Sequence, residues 1–121
     1  MAVSATWVPD RRDIIWINFN PQAGKEMKDE HPMLVLSPKA FNDRTSIVIG
    51  LPMTHAEWNN DNPFALRFSG AKGVPCYVLT HQPKSFDWRV RGARPHPLKQ
   101  VPPGVFEAAC ESLNQIISIC G

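Results

Sequence analysis

The chain has 121 residues, 43% of them hydrophobic and 20% charged, which suits one soluble domain spanning 1–121 around one hydrophobic core. No apolar run approaches the ~20 residues of a membrane span, and the N-terminal MAVSATWVPDRRD has no signal-peptide core, so a cytoplasmic protein without membrane contact is expected. The net charge of +2 conceals an uneven distribution. Residues 1–61 carry eight acids and six bases. Residues 62–104 carry one acid, Asp87, against seven bases: Arg67, Lys72, Lys84, Arg89, Arg91, Arg94 and Lys99. Seven less one leaves +6 on that stretch, which suits a polyanion, an acidic protein tail or a solvated face.

The first half of the chain reads as β. Asp13–Phe19 (DIIWINF) sets Ile14, Trp16 and Asn18 against Ile15, Ile17 and Phe19, a strand apolar on both faces. A charged loop, NPQAGKEMKDE, carries Lys25, Glu26, Lys28, Asp29 and Glu30 and leads into HPMLVLSP, whose apolar Met33–Leu36 is stopped by Ser37-Pro38. Such a loop presents an acid and a histidine from a rigid base, or is an ordinary polar hairpin. Thr45–Met53 is β-branched, with Gly50 and Pro52 marking a bulge or strand end. Phe64–Phe68 alternates with Arg67 outward, and Val74–Thr80 follows a turn at Gly73. His96, in RPHP, is read as a solvated loop residue. From Pro103 to Cys120 the period changes: Phe106, Ala109, Cys110, Leu113, Ile116, Ile117 and Cys120 form the stripe of an amphipathic helix. The expected fold is mainly β (α+β), a small barrel or half-open sheet of short antiparallel strands closed by a C-terminal amphipathic helix.

Three cysteines, Cys76, Cys110 and Cys120, are odd in number and lack the spacing of a zinc knuckle or redox motif. They are expected to be inert thiols, with no metal site. Ser37 has no nucleophile-elbow context and is not a catalytic candidate.

Five segments in chain order, WVPDRRDIIWINFNP, HPMLVLSP, LPMT, HQPKSFDWRVRGA and VPPGVFEAACESLNQIISICG, resemble the MazF/PemK toxins of bacterial type II toxin–antitoxin modules, over about Trp7 to Gly121. The resemblance implies an SH3-like barrel related to the CcdB fold, assembled as a homodimer. It implies a sequence-specific, metal-independent endoribonuclease (an mRNA interferase) for single-stranded RNA, without a cofactor, held in check by an antitoxin whose acidic, disordered C-terminal tail occupies the RNA groove. Glu26 then stands at the family's loop glutamate, Thr54 beside the scissile phosphate, and Trp16 near the antitoxin-binding surface. Gln82, Lys84, Trp88, Arg89 and Arg91 match a stretch lining the RNA path, and Lys28 and His55 are placed to join it. Two positions depart from the pattern. His31 stands where the family has an arginine, and His81 where it tends to have an aspartate.

Metal-independent RNA cleavage needs a base for the 2′-OH proton, an acid for the leaving 5′-oxygen, and cations or donors on the phosphorane-like transition state. Histidine titrates near neutrality, whereas arginine supplies fixed charge. The expected catalytic set is therefore Glu26, His31, Thr54 and His81, with His31 in acid–base catalysis, Thr54 positioning the phosphate and Glu26 or His81 as counterpart. Trp88, in FDWRVR, is the candidate for base stacking, and Trp16 is expected to be half-buried on its strand. Two other classes fit the same fold: a CcdB-like poison of a protein target such as gyrase, and an SH3-like RNA- or peptide-binding module with impaired catalysis.

Overall fold

The computed structural model describes residues 6–118. Seven strands and two helices follow in the order β1 (Asp13–Asn18), β2 (Glu30–Val35), α1 (Lys39–Thr45), β3 (Ile47–Thr54), β4 (Ala65–Ser69), β5 (Pro75–Leu79), β6 (Lys84–Asp87), β7 (Arg94–Gln100) and α2 (Pro103–Ile116). Short 3-10 turns at Glu57–Asp61 and Ala71–Gly73 flank β4. Every strand pairing is antiparallel, in the order β4-β5-β3-β2-β1-β7, with β6 also on β3.

Strand β3 is the pivot, because one of its edges serves two partners. Ile47–Gly50 pairs with β6, and Met53–Thr54 pairs with β5. Its other edge holds β2, with Met33 opposite Pro52 and Val35 opposite Gly50. The sheet presses tightly at Gly50: a Cβ there would lie 2.3 Å from the Leu34 carbonyl oxygen and 2.9 Å from Met33 Cγ. No side chain fits without moving the neighbouring backbone.

The double-sided apolar pattern of β1 has a direct cause, since both faces of the sheet are covered. Ile14, Leu34, Leu51, Met53, Cys76, Val78 and Val101 form one cluster, over which α2 lays Val105, Phe106, Ala109 and Leu113. Ile15, Ile17, Phe19, Met33, Val35 and Val48 form the other, closed by Trp88 and Ala93, with Trp7 and Phe86 packed against it. Burial of this kind contributes about 25 cal/mol per Å² of apolar surface. The barrel closed by a C-terminal helix is as the sequence pattern predicts. The helix stops at Ile116, with Ile117 capping it; Cys120, placed on its stripe by the periodicity, lies outside the described residues.

Three elements escape the sequence pattern. Helix α1 buries chiefly Asn42, which holds its surroundings by hydrogen bonds: Nδ2 donates to the Pro9 and Ser37 carbonyls, and the Ser37 hydroxyl donates to Oδ1. Strand β6 is only four residues long. Strand β7, RPHPLKQ, is an edge strand with β1 as its one ladder partner among the described residues, the position where prolines are tolerated. His96 is therefore a strand residue and not a solvated loop residue.

Candidate active site

The β2–β3 register pairs Met33 with Pro52. The ladder ends at that pair; His31 lies two residues before Met33 on β2, and Thr54 lies two residues after Pro52 on β3, where it pairs with Tyr77 of β5. One strand away on the other side, His31 pairs with the buried Ile17, so its backbone is held in the β1–β2 ladder. The expected histidine and threonine thus lie on neighbouring strands, beyond the same end of the β2–β3 ladder.

Glu26 reaches the sheet by a different route. The β1–β2 loop turns at Ala23–Glu26, where Gly24 takes φ +57°, and Glu26 Oε1 accepts from the Ala23 N–H at 2.9 Å. Its other oxygen accepts from Lys84 Nζ at 2.6 Å. The next residue, Met27, donates its N–H to Gln82 Oε1 at 3.2 Å. Side chains at the head of β6 therefore tie down the charged loop. The Lys84 ammonium and the Ala23 N–H both hold the Glu26 carboxyl below the usual carboxylate value, so Glu26 is a fixed anion at neutral pH.

His31 is shifted the opposite way to an activated cation. Burial pushes its pKa down, Asp29 raises it, and His55 pushes it down again. At neutral pH it is a neutral imidazole able to accept a proton. His55 follows Thr54 directly, and its Nδ1 lies 2.9 Å from the Pro75 carbonyl oxygen. A carbonyl only accepts, so Nδ1 carries hydrogen there. The Thr54 Oγ1 accepts from the Ala56 N–H at 3.2 Å, which leaves its own O–H free to donate.

A shallow groove beside Thr54 and His55 is lined by Pro32, Met53, Thr54, His55, Cys76, His96 and Leu98, with His31 next to Pro32 in the chain but not in the lining. His96 is the residue sequence reasoning missed. Its ring packs 4.8 Å from that of Trp16, and burial, His55 and Arg94 all lower its pKa. The available signal was the Arg94/His96 spacing, two residues apart and hence on one face of a strand, but the interleaved prolines disguise it. Cys76 is buried at the groove with its thiol pKa raised, as expected of an inert thiol.

Other predicted contacts are placed differently. Trp88 is 6% exposed; its Nε1–H donates to the Asn42 carbonyl at 2.8 Å, Trp7 packs edge-on at 5.7 Å, and the Arg89 guanidinium covers its ring at 4.2 Å. The expectation of a base-stacking Trp88 is corrected: it is a core residue, drawn inward by the second apolar cluster. Arg89 is engaged by Asp43 and Ser46 of the α1 region, and Arg91 by the carbonyls of Asn18 and Asn20, so both hold framework. Lys28 is exposed on the loop. His81 sits after β5 with its ring 5.8 Å from Phe64, and burial lowers its pKa. Trp16 is half-buried on β1, as its strand pattern implies. Among the described residues, no group of three or more His, Cys, Asp or Glu is arranged to hold a metal ion.

The profile of PemK-like, MazF-like toxins of type II toxin–antitoxin systems matches residues 10–117. The chain belongs to this family. It is 38% identical over 89 residues to the endoribonuclease toxin MazF of Escherichia coli strain K12, covering 72% of this chain and 76% of that one. To the Escherichia coli endoribonuclease PemK it is 27% identical over 114 residues, 90% of this chain and 82% of that one. The crystal structure of MazF from Deinococcus radiodurans superposes with a TM-score of 0.83 at 34% identity, covering 93% of this chain and 99% of that one. A MazE–MazF crystal structure from the same organism superposes at 0.75 and 34% identity, covering 93% and 98%. Membership in the MazF/PemK family gives the half-barrel and C-terminal helix their expected identity. It leaves the role of His31 as the chemical question.

Proposed function

We propose that this protein is a toxin that cleaves single-stranded RNA at short sequences without a metal, and that a cognate antitoxin silences it by laying an acidic tail in the same groove. The observation that carries this reading is a groove that gathers Thr54, His55 and His96 at the end of β3, with His31 on the adjoining strand β2. The named endoribonucleases among its relatives support it, and the MazE–MazF complexes support the antitoxin. The working unit is a homodimer in the cytoplasm; no helix among the described residues is long and apolar enough to cross a membrane.

In the proposed reaction the 2′-OH attacks the adjacent phosphorus, the P–O5′ bond breaks, and a 2′,3′-cyclic phosphate and a 5′-OH result. Neutral His31 takes the 2′-OH proton. The Thr54 hydroxyl donates to a non-bridging phosphate oxygen, where negative charge grows. Charge on His55 disfavours charge on His31, which suits His31 as the base. His55, which lines the groove beside Thr54, is placed as the acid for the leaving oxygen. Glu26, ionised and bound to Lys84, fixes the loop and keeps Lys84 in place. His81 and Gln82, at the foot of the same loop, contact the RNA strand together with Lys28.

The test is incubation of purified, antitoxin-free protein with a long RNA in EDTA, with cut sites mapped by primer extension. Discrete cuts support the nuclease. Binding without cuts favours an impaired binding module, and no cuts with gyrase trapped on DNA favours the poison. A pH–rate profile then examines His31. The acidic limb is expected below about pH 6.5, because the shift of His31 is downward from the ordinary histidine value. His31→Ala removes that limb; an unchanged rate at every pH refutes the role.

A further inference from the structure

Position 31 gives the groove no fixed positive charge, so the cations around it need an account. Lys84 is held by Glu26, with a side chain only 18% exposed. Arg89 and Arg91 are engaged by the framework, and Arg12 donates to the Val101 carbonyl. Arg94 differs. Its ionic partner is Glu30, and both side chains are well exposed, at 42% and 43%. An exposed pair of this kind is held weakly and exchanges partners readily.

The registers fix where that pair sits. Arg94 is opposite Trp16 on the neighbouring strand, and Trp16 is opposite Pro32. Glu30 lies two residues before Pro32, and His96 two after Arg94, so all five share one face of the sheet. The Arg94 guanidinium lies 5.4 Å from the Trp16 ring centre and His96 packs on the same ring system. Pro32 and His96 line the groove that contains Thr54 and His55. Arg94 therefore stands at the groove rim, with a carboxylate against its guanidinium.

We propose that the Glu30–Arg94 pair is a substrate-displaced latch, in which a phosphodiester of bound RNA replaces the Glu30 carboxylate on Arg94. The geometry favours the exchange. A guanidinium receives a carboxylate or a phosphate through the same planar fork of N–H donors, and the anion it already holds marks where a phosphate oxygen can lie. Trp16 and His96 keep the guanidinium at the rim while partners change. Glu30 then acts as a built-in competitor that weakens RNA binding, and Arg94 is the RNA-contacting cation of the groove. The inference rests on the endoribonuclease reading.

The two members of a latch have opposite effects on affinity, whereas the two members of a structural ion pair have the same effect. The test uses a labelled 2′-O-methyl RNA oligomer spanning a mapped cut sequence, with binding followed by fluorescence anisotropy at several salt concentrations. Arg94→Ala is expected to raise Kd about tenfold and to make the salt slope shallower by ~0.7, the value of one phosphate contact on a single strand. Arg94→Lys restores the slope but not the full affinity. Glu30→Gln is expected to lower Kd about threefold and to lower KM without raising kcat. Thermal melting of each variant shows that it is folded. Weakened binding in both Arg94→Ala and Glu30→Gln overturns the latch, as does unchanged binding in both. An Arg94→Ala effect on an acidic peptide but not on the RNA also overturns it, and assigns the rim to a protein tail. Failure of the wild-type protein to cut RNA rejects the endoribonuclease reading itself, which separates the two failures.

Discussion

The closest approach in the sheet offers a sharp test of how the fold holds the site. In Gly50→Ala the new Cβ meets the Leu34 carbonyl oxygen at 2.3 Å and Met33 Cγ at 2.9 Å. The methionine can swing away, but the carbonyl belongs to the β2 backbone and can retreat only with the strand. Overpacking of a core by one methyl typically costs about 1–3 kcal/mol, and a backbone obstacle places this case at the upper end, near 3 kcal/mol. For a chain of this length, 1 kcal/mol shifts Tm by roughly 3–5 °C, interpolating between small and larger domains. A fall of about 9–15 °C is therefore expected by differential scanning calorimetry. Because β2 carries His31 and β3 carries Thr54, RNA cleavage at 25 °C should drop by more than the unfolded fraction explains. A variant melting within about 2 °C of wild type would refute the close approach and the register argument built on it.

Further predictions follow from burial and charge. Trp88→Ala is expected to cost about 3–5 kcal/mol, the usual range for a buried aromatic, measured by urea unfolding; a weakened RNA affinity with unchanged stability would restore Trp88 to the RNA path. Thr54→Val should lower kcat by about 10²–10³, the cost of one preorganised donor, with Thr54→Ser recovering most of it in a single-turnover assay. Lys84→Ala removes the largest cause of the low Glu26 pKa, so NMR titration should find the carboxyl moved up towards its ordinary value. His31, His81 and His96 all have pKa values lowered on folding, each chiefly by burial. The unfolded chain therefore binds more protons below about pH 6.5, and stability should fall as pH drops from 6.5 towards 5. The lowered Glu26 adds a loss in the same direction, in the window below its ordinary value of 4.5. A Tm higher at pH 5.5 than at 7.5 would contradict these shifts.

The fold was legible wherever burial writes a period. β1, β3, β5 and α2 announce themselves because each side chain answers to a covered face, as with Ile14 and Ile15 on opposite clusters. Elements held by polar atoms leave no such trace. Helix α1 is organised by Asn42 hydrogen bonds, a role a polar residue in a turn would share. Strand β7 is hidden by Pro95 and Pro97, which normally argue against strand and are admitted here because the outer edge of β7 needs no ladder donors. Trp88 was misjudged for a related reason: its neighbours in sequence are arginines, yet its neighbours in space are Trp7, Asn42 and the second core cluster.

The site was legible as a set of residues but not as a distribution of charge. Family resemblance pointed to Glu26, His31 and Thr54, and the last two lie on adjacent strands, β2 and β3. What no linear pattern contains is the partner of each cation. Arg89, Arg91 and Arg94 look equivalent along the chain, all members of one basic stretch. In the fold the first two are anchored on backbone carbonyls of α1 and the β1–β2 loop, whereas among the described residues the Arg94 guanidinium hydrogen-bonds only the Glu30 carboxylate. In the proposed mechanism, proton transfer and fixed charge fall to different strands: the first to His31 on β2 and the second to Arg94 on β7. That division predicts a specific epistasis. Restoring His31→Arg returns a cation beside Thr54 but removes the imidazole, so cleavage should lose its acidic limb while RNA binding becomes less dependent on Arg94. If Arg94→Ala costs as much affinity in the His31→Arg background as in wild type, the two positions do not share the task.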